Sequence, residues 1–193
     1  MRFAFKTSPQ NTEWADMLAV WQAADGIDVF ESGWTFDHFY PIFSDPTGPC
    51  LEGWVTLAAL AQATTRLRIG VMVTGIHYRH PAVLANMASA LDIVSAGRLE
   101  LGIGAGWNEE ESGAYGIELG SIRERFDRFE EACQVLLGLL TQETTTFDGR
   151  YYQLTDARNE PKGVQKPHPP ICIGGSGEKR TLPLTARYAD HWN

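Results

Sequence analysis

The strongest constraint on this chain is an alternation. Short apolar, β-branched runs are followed again and again by helix-patterned segments, and several of the runs end in glycines or in a polar pair. Arg2 to Thr7, Ile27 to Phe36, Leu67 to Thr74, Arg98 to Gly106 and Pro170 to Ile173 read as strands, and His191-Trp-Asn193 reads as the start of a sixth. Between them, Thr12 to Ala24, Trp54 to Thr65, Pro81 to about Gly97, a segment opening at Ser121, and Glu178 to Ala189 read as helices. Strand and helix in strict rotation imply parallel strands joined by right-handed crossovers. The alternation leaves two architectures, an open doubly wound sheet and a (β/α)8 barrel. A full barrel takes about 250 residues, and 193 residues supply five to six βα units. The expectation is a single α/β domain over 1–193, a barrel of TIM type that is incomplete.

Local signals refine this order. On the first helix Trp14, Leu18 and Trp21 form the expected inner stripe. Pro41 to Gly53, rich in Pro, Gly and Asp, reads as a surface loop. Ser121-Ile-Arg-Glu124 is a capping box, followed by a stripe of Ile122, Phe126, Phe129, Cys133, Leu136 and Leu140. Asp148-Gly149, between Thr144-Thr-Thr-Phe147 and Tyr151-Tyr-Gln-Leu154, signals a β-hairpin inserted near 144–155. Pro183 is expected to bend the last helix.

Composition narrows the partners. A net charge of −8 disfavours nucleic acid or an anionic membrane. No apolar run is long enough to span a bilayer, and the N-terminus lacks a signal peptide's apolar region. Cys50, Cys133 and Cys172 are odd in number and scattered, as expected of reduced, buried thiols in a cytoplasmic protein.

The chemistry-bearing residues collect at strand ends. Asp37-His38 closes the second strand, and an imidazole there can pass a proton to or from a hydroxyl or carbonyl. Spacing alone favours a plain surface pair. Gly102-Ile-Gly104-Ala-Gly106 departs from the dinucleotide fingerprint, because Trp107 stands where a third glycine belongs, but it suits a floor beneath a planar ring. Gly174-Gly175-Ser176-Gly177 is either an anion site at a helix N-terminus or a tight βα turn. His77 and His80 have helical spacing without a third ligand, so no metal site is expected. Glu109-Glu110-Glu111 reads as a solvated helix start. Asp37-His38, Thr74, Gly104 to Asn108 and Gly174 to Gly177 all fall at C-terminal ends of parallel strands, which lie on one face.

Taken in order, Trp34-Thr-Phe-Asp-His-Phe39, Thr74 with Tyr78-Arg-His-Pro81, Gly97-Arg-Leu-Glu-Leu-Gly-Ile-Gly-Ala-Gly-Trp-Asn108, Phe147-Asp-Gly-Arg-Tyr-Tyr152 and Pro169-Pro-Ile-Cys-Ile-Gly-Gly175 resemble the bacterial luciferase-like monooxygenase superfamily, and most of all its coenzyme F420-dependent oxidoreductases. The resemblance implies a (β/α)8 barrel with a deazaflavin or flavin ring over its C-terminal face. It makes His38 the catalytic acid/base, with Asp37 beside it in the catalytic pair and lining the ring pocket. It places a non-prolyl cis peptide at Val71-Met72, where Val71 and Met72 form a bulge that backs the cofactor ring. Thr74, Gly104, Gly106 and Asn108 become contacts to the ring or its side chain, and Gly174, Gly175, Ser176 and Gly177 contacts to the phosphate. The Asp-His pair favours F420 over FMN. The implied reaction is hydride transfer between F420 and a small organic substrate, in an expected homodimer. The alternatives are an FMN-dependent monooxygenase and a shortened flavin-binding protein without turnover. Ala105 and Ile42 stand where F420-dependent alcohol and sugar-phosphate dehydrogenases carry Glu and Trp, so the substrate side of those relatives does not carry over.

Overall fold

The computed structural model describes residues 3–193. Arg2 of the expected first strand lies outside them. The chain runs β1 (Phe3–Lys6), α1 (Trp14–Asp25), β2 (Phe30–Thr35), α2 (Gly53–Ala63), β3 (Arg68–Val71), β4 (Thr74–Gly75), α3 (Pro81–Val94), β5 (Leu99–Gly104), α4 (Glu109–Ala114), α5 (Ile122–Thr141), β6 (Thr145–Asp148), β7 (Gln153–Ala157), β8 (Ile171–Ile173), α6 (Thr181–Tyr188) and β9 (His191–Trp192). All strands but the hairpin belong to one sheet of order β1-β2-β3-β5-β8-β9, with β4 also on β5, and every pairing in it is parallel. The sheet curls into the arc of an incomplete (β/α) barrel. The hairpin β6-β7 forms a separate antiparallel ribbon, as the Asp148-Gly149 signal predicts.

The core lies between the arc and its helices. Trp21, Leu57, Leu60, Ile69, Leu99, Leu101, Phe129 and Leu136 are fully buried there. Each such side chain contributes roughly 1.5–3 kcal/mol on burial. The Ser121/Glu124 capping box forms as expected.

Four local expectations need correction. On α1 the buried stripe is Met17, Trp21 and Ala24, while Trp14, on the same face but at the first position of the helix, is substantially exposed. The single strand expected over Leu67 to Thr74 is broken into β3 and β4 around a cis peptide between Met72 and Val73, one residue beyond the expected Val71-Met72. Ile122 opens the α5 stripe but is exposed, since it stands at the cavity rim rather than over the core. The last helix starts at Thr181 rather than Glu178. Pro183 then falls in its first turn, where a missing N–H breaks no helical hydrogen bond, so no bend is required.

Candidate active site

The C-terminal strand ends enclose a cavity of about 540 Å³. Its floor is made by a residue that the sequence does not point to. Val73 is wedged between the ends of β5 and β8. A Cβ built on Gly104 or on Gly174 would come within 2.9 Å of its Cγ2, and one on Gly102 would meet the Val71 carbonyl. His77 occupies the corresponding space against Gly75 and Gly106. The glycines therefore make room for Val73 at the floor and for His77 behind it.

His38 lines this cavity just beyond β2 and is 9% exposed. Its Nδ1 lies 2.7 Å from Oε2 of Glu111, the third residue of α4. The Glu111 carboxylate is fully buried, and Tyr78 OH donates to the same Oε2 at 2.5 Å. The Phe39 backbone N–H donates to Oε1 at 2.6 Å. Burial pushes Glu111 up, but the bonds from His38, the Phe39 N–H and Tyr78 outweigh it and hold the carboxyl below the usual range. Among the described residues Nε2 of His38 has no hydrogen-bond partner, and the ring centroids of Phe36 and Trp107 stand 5.8 and 5.9 Å from that of the imidazole.

Glu111 corrects the reading of 109–111 as a solvated turn. Glu109 and Glu110 are exposed, whereas Glu111 and Ser112 point inward. Asn108 caps α4 by accepting from the Glu111 N–H at 3.1 Å. The one available sequence signal was a carboxylate at the third position of a capped helix, next to a small residue.

Asp37 also touches the cavity wall, but its carboxylate is committed elsewhere. Arg79 donates to Oδ2 and Oδ1 at 2.5 and 3.1 Å and reaches Glu52 at 2.5 Å. Thr74 is fully buried and accepts from Trp54 Nε1 at 2.8 Å. Val71 belongs to the core. Of the expected site residues, Asp37, His38, Met72, Gly104, Gly106, Gly174, Gly175, Ser176 and Gly177 border the cavity, and Val71, Thr74 and Asn108 stand behind it.

The opposite end is polar. The Gly174 N–H is used by Ile103 O and the Gly175 N–H by Asn193 O, whereas those of Ser176 and Gly177 have no partner among the described residues. Arg125 borders the same cavity; its Nε is buried without a partner, and Nη1 donates to Gly106 O at 3.4 Å. The glycines precede α6 by a turn rather than opening it directly.

Cys133 and Cys172 are buried as expected, while Cys50 is only half-buried and donates to His38 O at 3.3 Å. Burial pushes the three thiols up, to about 11 for Cys50 and Cys172 and about 12 for Cys133. Burial also pulls His77 down to about 4, against the attraction of Glu111. His80 instead caps α3, accepting from the Ala82 N–H. Among the described residues no helix is long and apolar enough to cross a membrane.

The same arrangement of elements recurs in solved proteins. The fold superposes on an F420-dependent secondary alcohol dehydrogenase in complex with an F420-acetone adduct, with a TM-score of 0.84 and 27% identity, covering 100% of this chain and 58% of that one. In sequence the chain is 33% identical over 177 residues to an F420-dependent hydroxymycolic acid dehydrogenase of Mycobacterium tuberculosis, covering 91% of this chain and 48% of that protein. It is 32% identical over 191 residues to an F420-dependent glucose-6-phosphate dehydrogenase of Microbacterium testaceum, covering 98% and 55%. The chain thus spans about half the length of these relatives. The family model for luciferase-like monooxygenases matches residues 1–193, and on this match the chain belongs to the luciferase-like monooxygenase family.

Proposed function

We propose that this chain binds coenzyme F420 and takes part in hydride transfer between it and a small organic substrate, with His38 handling the proton. The observation that carries this reading is the unpartnered Nε2 of His38, facing a cavity floored by Val73 and the β5 and β8 glycines. The residues suit the cofactor. Val73, Gly104 and Gly106 would back its ring, and the free N–H groups of Ser176 and Gly177, with the unpaired Arg125 Nε, would receive its phosphate. Bound F420 would supply a two-electron hydride acceptor or donor. In substrate oxidation His38 Nε2 takes the hydroxyl proton, and in reduction it returns one. Phe36 and Trp107 flank the imidazole and limit water around it.

Domain extent and assembly follow the same reading: residues 1–193 act as one barrel-type unit in a homodimer, in the cytoplasm. Fluorescence titration of the chain with F420 and with FMN tests the cofactor. Saturable F420 binding, lost in neither His38→Ala nor wild type, together with turnover lost only in His38→Ala, is the expected pattern. Selective FMN binding would replace F420 by flavin chemistry, and binding of neither would defeat the enzymatic reading.

A further inference from the structure

We propose that Glu111 is the positioning residue for His38: it fixes the proton on Nδ1 and so presents Nε2 to the cavity as a proton acceptor. This rests on the role given to His38 above, but its structural content stands without a cofactor.

The chemistry of the partners dictates the direction of the bond. A carboxylate only accepts hydrogen bonds. Oε1 takes the Phe39 N–H, and Oε2 takes Tyr78 OH and faces His38 Nδ1 at 2.7 Å. With an ionised Glu111 the Nδ1 must be the donor, which leaves the Nε2 lone pair free. Among the described residues no other acceptor reaches Nδ1. The orientation is also fixed. Phe39 follows His38 in the chain, so Glu111 holds the backbone beyond His38 through one oxygen and its ring through the other. Tyr78, from the loop after β4, donates to the same Oε2 that faces Nδ1 and so helps to hold it in place.

The geometry further predicts what an amide would do in place of the carboxylate. In Glu111→Gln the side-chain oxygen must face the Phe39 N–H, which can only donate. The NH2 group then occupies the place of Oε2 and donates one hydrogen to Nδ1 and the other to Tyr78 OH, whose hydroxyl can rotate to accept, so the His38 proton moves to Nε2 and its acceptor is lost.

Long-range 1H–15N correlation spectra of the 15N-histidine-labelled chain, without cofactor and with the imidazoles neutral, read this directly. The His38 signals among the five histidines are identified by their loss in His38→Asn. The expected result is protonated Nδ1 in the wild type and in Tyr78→Phe, and protonated Nε2 in Glu111→Gln. Where turnover is measured, Glu111→Gln lowers kcat about a hundredfold with KM unchanged. Protonated Nε2 in the wild type overturns the proposal, as does an unchanged tautomer in Glu111→Gln. Should Glu111→Gln lose its dispersed amide spectrum, the wild-type and Tyr78→Phe tautomers decide alone. Failure to bind F420 would defeat the functional reading while leaving this one standing.

Discussion

Arg79 holds the fully buried Asp37 carboxylate with both arms of its guanidinium, Nη1 on Oδ2 at 2.5 Å and Nη2 on Oδ1 at 3.1 Å. Asp37 adjoins His38, so this pair anchors the chain just beyond β2 where His38 sits. Burial raises the Asp37 carboxyl and Arg79 opposes that rise. Arg79→Leu leaves an unpaired carboxylate in the interior and should cost about 3 kcal/mol in urea unfolding, with Asp37→Asn in the same background recovering part of it. A loss below 1 kcal/mol, roughly that of an exposed pair, would contradict the assignment.

Acid sensitivity should concentrate at Asp25. Its carboxylate accepts the backbone N–H groups of Thr65, Arg66 and Leu67 at 2.8 to 3.0 Å and so ties the end of α1 to the turn before β3. Burial works against the charge, but these bonds prevail and lower the group to about 2. Because the folded value lies below the unfolded one, this stabilisation is complete above about pH 4 and fades as pH falls toward 2. Asp25→Asn should be about 1–2 kcal/mol less stable at pH 7, a figure reduced for solvent screening. The two proteins should converge in denaturation midpoint near pH 2; a gap constant with pH would refute it.

A methyl group on Gly174 has no free space. Gly174→Ala pushes Val73 Cγ2, 2.9 Å from the added carbon, toward the cavity. Overpacking of this kind costs roughly 1–3 kcal/mol. Cofactor affinity should fall at least about tenfold, the equivalent of 1.4 kcal/mol. Val73→Ala in the same chain should restore binding, and wild-type affinity in Gly174→Ala alone would remove Val73 from the floor.

Glu131 on α5 accepts three consecutive backbone N–H groups, those of Arg150, Tyr151 and Tyr152, at 2.8 to 3.1 Å. It thereby fastens the hairpin loop to the body. Glu131→Ala should speed hydrogen exchange at these three amides and leave the β5 amides protected, with a stability loss of about 1–2 kcal/mol. Uniformly faster exchange would mean that the hairpin and core open together.

What could be read from the sequence was periodic or local. The βα rotation, the Ser121/Glu124 box and the Asp148-Gly149 hairpin each depend on residues within a few positions, and the structure has them where expected. Strand-end placement likewise located the cavity, because every parallel strand delivers its C-terminus to one face. What escaped were pairings between distant segments. Glu111 meets His38 across 73 positions and Arg79 meets Asp37 across 42. Glu111 looked solvated because its two neighbours are, and only the helix phase turns it inward. Val73 was hidden for another reason: the cis bond moves the chain out of strand register one residue later than expected, and periodicity is silent there.

The raised thiols give the molecule built-in clocks of its own opening. Burial keeps these thiols in the protonated form at pH 7, and only the thiolate attacks an alkylating reagent. The two buried cysteines should therefore react only as their surroundings come apart. Cys172 times the fraying of β8 and Cys133 the release of α5 from the core, while the half-buried Cys50, bonded to the His38 carbonyl, reacts without either.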